Sequence, residues 1–479
     1  MIASALLPII EPLRRIVGDE GLLAAHSDLV VYECDGFVIE KNCPDVVVFP
    51  RTTEDVAEIV KICNEFEVPF LPRGAGTSLA GGCLPVGGGV MIVLTRMKEI
   101  LEINLRDRYA IVQPGVVNLW LTNKLKGTGY HYAPDPSSQG ACTIGGNVAT
   151  NSGGPHTLKY GVTVNHTLGI EAVMADGTIV QFGGPSEDPG GLDLTGVLVG
   201  SEGTLAIVTK VWVRLTKNPT SVRTLLGVFD SADDATNSIS EIIGAGIIPA
   251  ALEMMDQGII VAVEAAFHFG FPLDAKAILL IEVDGLEAGL DETRDRIIAL
   301  CMQCGAREVR QARDAAERLL LWKCRKQAFG AVGRLSPSYC TQDGVVPRTR
   351  LPHILRRIGE IGEKHGIRIV NVFHAGDGNI HPILLFDERD GEQVKRVLEA
   401  SDEILDECIA CGGSVTGEHG IGVEKINFMR KLFTENDLAA MTRMREAFNP
   451  HNRLSPSKML PTAGACGMEQ KHPGRRAAL

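Results

Sequence analysis

Long apolar runs are missing from this sequence. No segment of its 479 residues reaches the roughly 20 apolar residues that a membrane-spanning helix needs. Excess basic charge is missing too. Lys and Arg number 47 against 59 Asp and Glu, a net charge of −12, which argues against a nucleic-acid partner and against adhesion to anionic lipid. Cysteine is sparse for the length: 12 scattered residues do not make a disulfide framework, and a reducing, cytoplasmic setting is expected. The opening MIASALLPIIEPLRRIVG has no basic stretch before its apolar one, and Glu11, Arg14 and Arg15 follow soon after. It reads as a short amphipathic helix rather than a secretion signal. No internal repeat is visible.

What remains is an ordinary globular balance, 45% hydrophobic and 22% charged, over a length that suits two or three domains. Residues 45–49 read as a buried strand. Thr52 then caps a helix with Glu54 and Asp55 in its first turn, and Val56, Ile59, Val60 and Cys63 share one face. Short strands follow at 90–94, 100–105 and 109–113, a helix at 117–126, and a hairpin at 169–182 with Asp176-Gly177 at its turn. Beyond 218 the composition changes. Strands near 222–229, 248–254 and 277–283 alternate with helices at 231–244 and 291–304, as in a helix-covered sheet. Further helices are expected at 315–332, 351–365, 391–411 and 437–448. The final stretch, 461–479, has no periodicity and reads as a flexible tail.

Glycine is the outlier, with 53 residues. The loop Arg73-Gly74-Ala75-Gly76-Thr77-Ser78, with Gly82 just beyond, follows a strand. Backbone N–H groups in such a loop can turn toward phosphate oxygens. It is not a Rossmann fingerprint, because no acidic residue stands about twenty positions on and no helix clearly follows. A second stretch holds Pro134, Asp135 and Ser137, then Thr143, Gly145, Gly146, Asn147, Ala149, Thr150, Gly153 and Gly154. A third holds Glu202 and Gly203, followed by Ile207 and Val208. One such loop is a common turn; three favour an extended dinucleotide.

Two histidines, His374 and His381, flank Gly376-Asp377-Gly378-Asn379. With Asp377-Gly378 at the centre of a two-residue turn, His374 would face His381 and the imidazoles would share a face. Glu418, beside His419 in a glycine-flanked loop, supplies a third ligand. Two His and a carboxylate suit zinc, manganese or iron with positions left open for substrate. The pairs Cys301/Cys304 and Cys408/Cys411 have cluster-like spacing, but both fall near helix ends, where cysteines pack as small apolar side chains.

The strings PRGAGTSLAGG, TIGGNVATNSGG and GSEGTLAIVT resemble the FAD-binding domain of the vanillyl-alcohol-oxidase type of flavoproteins, and the likeness runs from about residue 40 to 460. VFHAGDGNIHP and GEHGIGVEKI resemble the branch that holds D-lactate dehydrogenases, 2-hydroxyglutarate dehydrogenases and the flavin subunit of bacterial glycolate oxidase. The resemblance implies an α+β fold: a two-part FAD-binding domain (1–218), an α+β substrate or cap domain with the metal site (219–425), and C-terminal helices returning to the FAD domain (426–460). It implies His374, His381 and Glu418 as ligands of a divalent zinc, manganese or iron ion. His419 is implied as the catalytic base and Arg325 as the grip on the substrate carboxylate. Lys458 would lie near the flavin, although Ser455-Pro456-Ser457-Lys458 stands where the family shows Asn-Pro-Gly-Lys. The first loop has no His, so FAD is expected to be non-covalent.

The implied reaction is oxidation of a small 2-hydroxy acid, glycolate or D-lactate, to the 2-oxo acid, with hydride to flavin and electrons to an acceptor other than oxygen. Ile383 supports the small substrate, because hydroxyglutarate-type members carry a polar Asn there. The alternatives are a dehydrogenase for a larger D-2-hydroxy acid such as D-2-hydroxyglutarate, and a flavin electron-transfer subunit with no substrate of its own. The glycolate-oxidase likeness further implies companion subunits, one with a second flavin domain and one with iron–sulfur clusters, and loose membrane association of a cytoplasmic chain through them.

Overall fold

A computed structural model describes residues 7–186 and 190–461. The expected tail therefore lies, from residue 462, outside the described residues. The chain forms two compact units. One comprises the chain up to Ser152, Val162–Lys217 and the chain from Glu418 onward; the other comprises Gly153–Gly161 and Asn218–Gly417. Among the described residues no helix is long and apolar enough to cross a membrane.

The first unit contains two main sheets. In the first, the strands run in the order Leu22–Leu23, Val46–Val48, Val90–Val93, Phe70–Arg73, with the last three mutually parallel. Val46, Val48, Phe70 and Ile92 point to one core, with Val56, Ile59, Val60 and Cys63 of the helix Thr53–Glu65. Val47, Leu71, Met91 and Val93 point to the other face. That alternation follows from the two-residue period of a strand, and residues buried on both faces explain the unbroken apolar run DVVVF. Thr52 caps the helix through a capping box with Asp55, as its position predicted. The second sheet is antiparallel: Ile100–Asn104, Tyr109–Val112, Ala206–Arg214, Thr167–Met174, Ile179–Gly183. Its last two strands form the expected hairpin, with Gly177 at φ +88° in the turn.

The second unit is built on one eight-stranded antiparallel sheet. Its main path runs Ala306–Gln311, Ser221–Phe229, Ala277–Gly285, Ala251–Asp256, Arg368–His374, Asn379–Phe386, Ser338–Thr341. One core of this unit includes Ile259, Ile260 and Val263 of the helix Gln257–Phe267 with Val370, Val372 and Ile383 of the hairpin. Neither that helix nor the strands Ala306–Gln311 and Ser338–Thr341 was expected from local pattern.

The histidine hairpin corrects one expectation. His374 pairs with Asn379, and His381 pairs with Val372. The turn therefore spans four residues, Ala375 to Gly378, and is not a two-residue Asp-Gly turn. Its shape is set by neighbours: the Gly376 amide bonds to Leu252 O at 3.1 Å. A Cβ on Gly378, at φ +80°, would sit 2.1 Å from Val346 O. The shift of register is two residues on a two-residue period, so both imidazoles still share a face.

Candidate active site

In the first unit the three glycine-bearing segments converge. A Cβ on Gly74 would lie 2.5 Å from Thr143 Oγ1, so the first loop touches the second. The amides of Gly200 and Glu202 donate to Val148 O and Ala149 O, both at 2.8 Å, tying the third segment to the second. A Cβ on Gly203 would meet Pro72 Cγ at 2.7 Å, which brings the third to the first.

The second stretch contains a helix that its composition hides, Ile144–Thr150, with Thr143 as N-cap. Gly145 is needed there because a Cβ would lie 2.5 Å from that of Pro114. Asn118 Nδ2 donates to Pro134 O at 2.9 Å and holds the turn that carries Asp135 and Ser137. Thr150 bonds Ser152 at 2.8 Å, Ile207 is buried in the core, and Val208 is half-buried beside it on the same strand. Gly153 and Gly154 fall in the second unit.

Dinucleotide chemistry fits this region. Among the described residues, the amides of Gly74, Ala75, Gly76 and Thr77 make no hydrogen bond within the chain, and Gly76 sits at φ +74°. Amides without a partner, in a loop whose residues are exposed or half-buried, suit the oxygens of a pyrophosphate. Asn147 Nδ2 is buried without a partner, which a polar ligand would satisfy.

Three charged residues of this unit turn inward. Arg73 donates to Cys34 O at 3.0 Å and to Cys83 Sγ at 3.2 Å. Glu202 accepts from the amides of Ile421 at 2.6 Å and Gly422 at 2.7 Å, and burial still pushes its carboxyl up. Lys458 is 1% exposed and bonds Gly82 O. Burial pushes its amine down to about 8, opposed by Cys83, Asp35 and Glu202. Ser457, where the resemblance expects Gly, lies at φ +60°, a conformation that glycine adopts without steric cost. Arg445 bonds Ser455 O and Lys458 O, both at 2.8 Å, and so holds the segment in place.

In the second unit, His374 and His381 are both buried, with ring centroids 5.1 Å apart and planes at 89°. Glu253, from the adjacent strand, reaches His374 Nδ1 with both carboxylate oxygens, at 2.9 and 3.0 Å. Asp343 Oδ1 stands 3.9 Å from His381 Nδ1. Its Oδ2 accepts from Thr416 Oγ1 at 2.7 Å and the Gly417 amide at 3.0 Å. Two imidazoles, each with a carboxylate near Nδ1, form a donor set suited to a divalent metal.

Arg325 enters from the helix Ala315–Lys326 and is completely buried. Its Nη2 lies 2.5 Å from Glu253 Oε2 and 3.5 Å from His374 Nδ1. Its Nε and Nη1 are buried without a partner. One turn before it, Trp322 Nε1 and, two turns before, Arg318 donate to buried Glu282, at 2.7 Å and at 2.8 Å for both Arg318 bonds. These contacts fix the helix that presents Arg325. Burial pushes Glu253 up, but the charges of Arg325 and His374 outweigh it and leave the carboxyl below its ordinary range.

Glu418 and His419 begin the last segment of the first unit, with Glu418 Oε1 and His419 Nε2 3.8 Å apart. The second unit ends one residue earlier, at Gly417. Among the described residues, Cys301, Cys304, Cys408 and Cys411 form no disulfide. Glu253, Glu282 and Asp343 were not read from the sequence. No local signal marks them, because each acts on a residue far away in the chain.

Comparison with known proteins extends these observations. Residues 44–183 match the FAD binding domain family and residues 218–459 match the family "FAD linked oxidases, C-terminal domain". Glycolate oxidase subunit GlcD of Escherichia coli (strain K12) is 44% identical over 458 residues, 96% of this chain and 92% of that protein. Its counterpart in Bacillus subtilis (strain 168) is 39% identical, over 94% of this chain and 96% of that protein. A D-lactate dehydrogenase of Anaerostipes hadrus is 31% identical over 94% and 95%. Among solved structures, p-cresol methylhydroxylase is similar with a TM-score of 0.82 at 18% identity, covering 95% of this chain and 97% of that one. The 4-ethylphenol oxidase of Gulosibacter chungangensis is similar at 0.79 and 19%, over 96% and 98%. The fold is thus that of the vanillyl-alcohol-oxidase type, and the chain belongs to the FAD-linked oxidases as an FAD-binding flavoprotein oxidoreductase.

Proposed function

We propose that the chain oxidises a small 2-hydroxy acid, glycolate or D-lactate, to the 2-oxo acid and passes the electrons to an acceptor other than oxygen. The observation that carries this reading is Arg325: two of its guanidinium nitrogens are buried beside His374 with no partner. A cation held in that state suits a substrate carboxylate. The glycolate oxidase subunits and D-lactate dehydrogenase named above act, by their names, on acids of this class.

His374, His381 and Glu418 would hold a divalent zinc, manganese or iron ion, with Glu418 carried by the chain that runs on from Gly417. Such an ion, when bound, supplies a Lewis acid for the substrate hydroxyl. FAD, when bound, supplies the hydride acceptor. His419 takes the hydroxyl proton, work that suits an imidazole near neutral pH. Arg325 grips the carboxylate and orients Cα. Ile383, apolar and buried, offers nothing to a second carboxylate.

The open amides of Gly74 to Thr77 would cradle the pyrophosphate of a non-covalent FAD, with Thr143, Gly146 and Asn147 on its other side. Residues 1–218 and 426–460 would serve FAD, and 219–425 the substrate and metal. Relatives named as subunits support companion subunits; the sequence resemblance implies one with a second flavin domain and one with iron–sulfur clusters, through which a cytoplasmic chain would associate with the membrane.

Anaerobic addition of glycolate, D-lactate, L-lactate and D-2-hydroxyglutarate to the purified yellow protein tests this. Bleaching by glycolate or D-lactate supports it. Faster bleaching by D-2-hydroxyglutarate overturns the small substrate, and no bleaching by any of them overturns an autonomous active site.

A further inference from the structure

Glu253 stands where two parts of the proposed chemistry meet. It is 1% exposed, on the strand Ala251–Asp256, and pairs directly with His374 across the sheet. Both its oxygens reach His374 Nδ1, and Oε2 also takes Arg325 Nη2. The imidazole therefore has Nδ1 held by Glu253, and Nε2 is the nitrogen that a metal would take. The guanidinium has one nitrogen committed and two left over. A lone buried carboxylate is costly unless it is paired, so this one is retained with two partners that it restrains at once.

We infer that Glu253 is a positioning residue that presets both the metal-facing His374 and the carboxylate-gripping Arg325. This rests on the metal and substrate reading given above. The hydrogen bond to Nδ1 fixes the tautomer and the ring plane, and partners of this kind change metal affinity by roughly 10–100-fold. The contact to Nη2 fixes the guanidinium plane, so a substrate carboxylate would meet a preset cation and lose less entropy on binding. One residue thus couples metal retention to substrate affinity.

The test uses the full flavin-loaded chain and its Glu253→Gln, Glu253→Ala and His374→Ala variants. Zn²⁺ and Mn²⁺ are each titrated by equilibrium dialysis, with bound metal counted per protein, and flavin content and Tm are followed in parallel. Glu253→Gln keeps an acceptor for Nδ1, so metal affinity should fall in the order wild type, Gln, Ala, with roughly 10–100-fold between the ends. KM for glycolate should rise in both variants. If Glu253→Ala does not fold, Glu253→Gln carries the test. Metal binding unchanged in the Glu253 variants, with binding lost in His374→Ala, overturns the positioning role alone. Equal binding by wild type and His374→Ala, or none by either, overturns the metal reading and the positioning role with it.

Discussion

Gly74 and Thr143 belong to different glycine-rich segments, yet a side chain on the first would strike the hydroxyl of the second: a Cβ at Gly74 would lie 2.5 Å from Thr143 Oγ1. That hydroxyl already accepts from the Gly146 amide at 3.2 Å and caps the helix Ile144–Thr150. Gly74→Ala should push Thr143 off its cap, at about 1 kcal/mol for the lost cap. The expected result is a lower flavin-to-protein ratio after gel filtration. In a Thr143→Ala background the same change should cost less, because the clashing oxygen is gone, and a double-mutant cycle should show the coupling. Strictly additive effects on FAD affinity would mean that the two loops do not meet in this way.

Arg325 yields a sharper kinetic outcome. Arg325→Lys keeps a positive charge but not the planar fork. With hydrogen bonds to charged groups worth about 1.5–3 kcal/mol each, kcat/KM for glycolate should drop roughly 100-fold with flavin content unchanged. Arg325→Met should also lower stability, since Glu253 would be left buried without its cation. A kcat/KM that stays at the wild-type value in Arg325→Lys would remove Arg325 from substrate binding.

Ser457 adopts φ +60°, and its neighbours Ser455 and Met459 are also left-handed, at +44° and +66°. A non-glycine residue in this region costs roughly 1–2 kcal/mol relative to glycine, less what glycine's looser unfolded chain takes back. Ser457→Gly should therefore raise Tm, or leave it unchanged at worst, while holding Lys458 in place for the bond to Gly82 O. A fall of several degrees would show that the Ser457 side chain stabilises the segment by more than its backbone strain costs.

Much of this molecule was legible because it is locally encoded. The Thr52 cap, the apolar face of Thr53–Glu65 and the Asp176-Gly177 hairpin each depend on residues within a turn or two of one another. The three glycine-rich segments stood out in the sequence for the same reason, each within a short run of residues. What escaped depends on distant neighbours. The helix Ile144–Thr150 forms against the propensity of Gly145 and Gly146 because Pro114 packs on it. The His374–His381 register depends on Leu252 and Val346, which constrain the turn from outside it. Glu253 looks like an ordinary strand residue until one knows that Ala251–Asp256 pairs with Arg368–His374. No spacing in the sequence reports which strands are neighbours.

Asp256 offers a pH signature apart from the chemistry. It caps the helix Gln257–Phe267 and accepts from Ile259 N at 2.9 Å, Asn371 N at 2.7 Å and Asn371 Nδ2 at 2.9 Å. Burial nevertheless pushes its carboxyl up from 3.8 to about 6, against those hydrogen bonds. The folded state therefore holds the proton more tightly than the unfolded chain does. Its stabilising contribution is complete below about pH 4 and is lost as pH rises to about 6, a change of order 3 kcal/mol. Asp256→Asn cannot titrate. The Tm of wild type minus that of the variant should therefore be largest near pH 4 and shrink toward pH 6, then stay level to pH 8. A difference that is flat across this window would mean that Asp256 stays ionised in the fold. Its hydrogen bonds to Ile259 and Asn371 would then outweigh its desolvation.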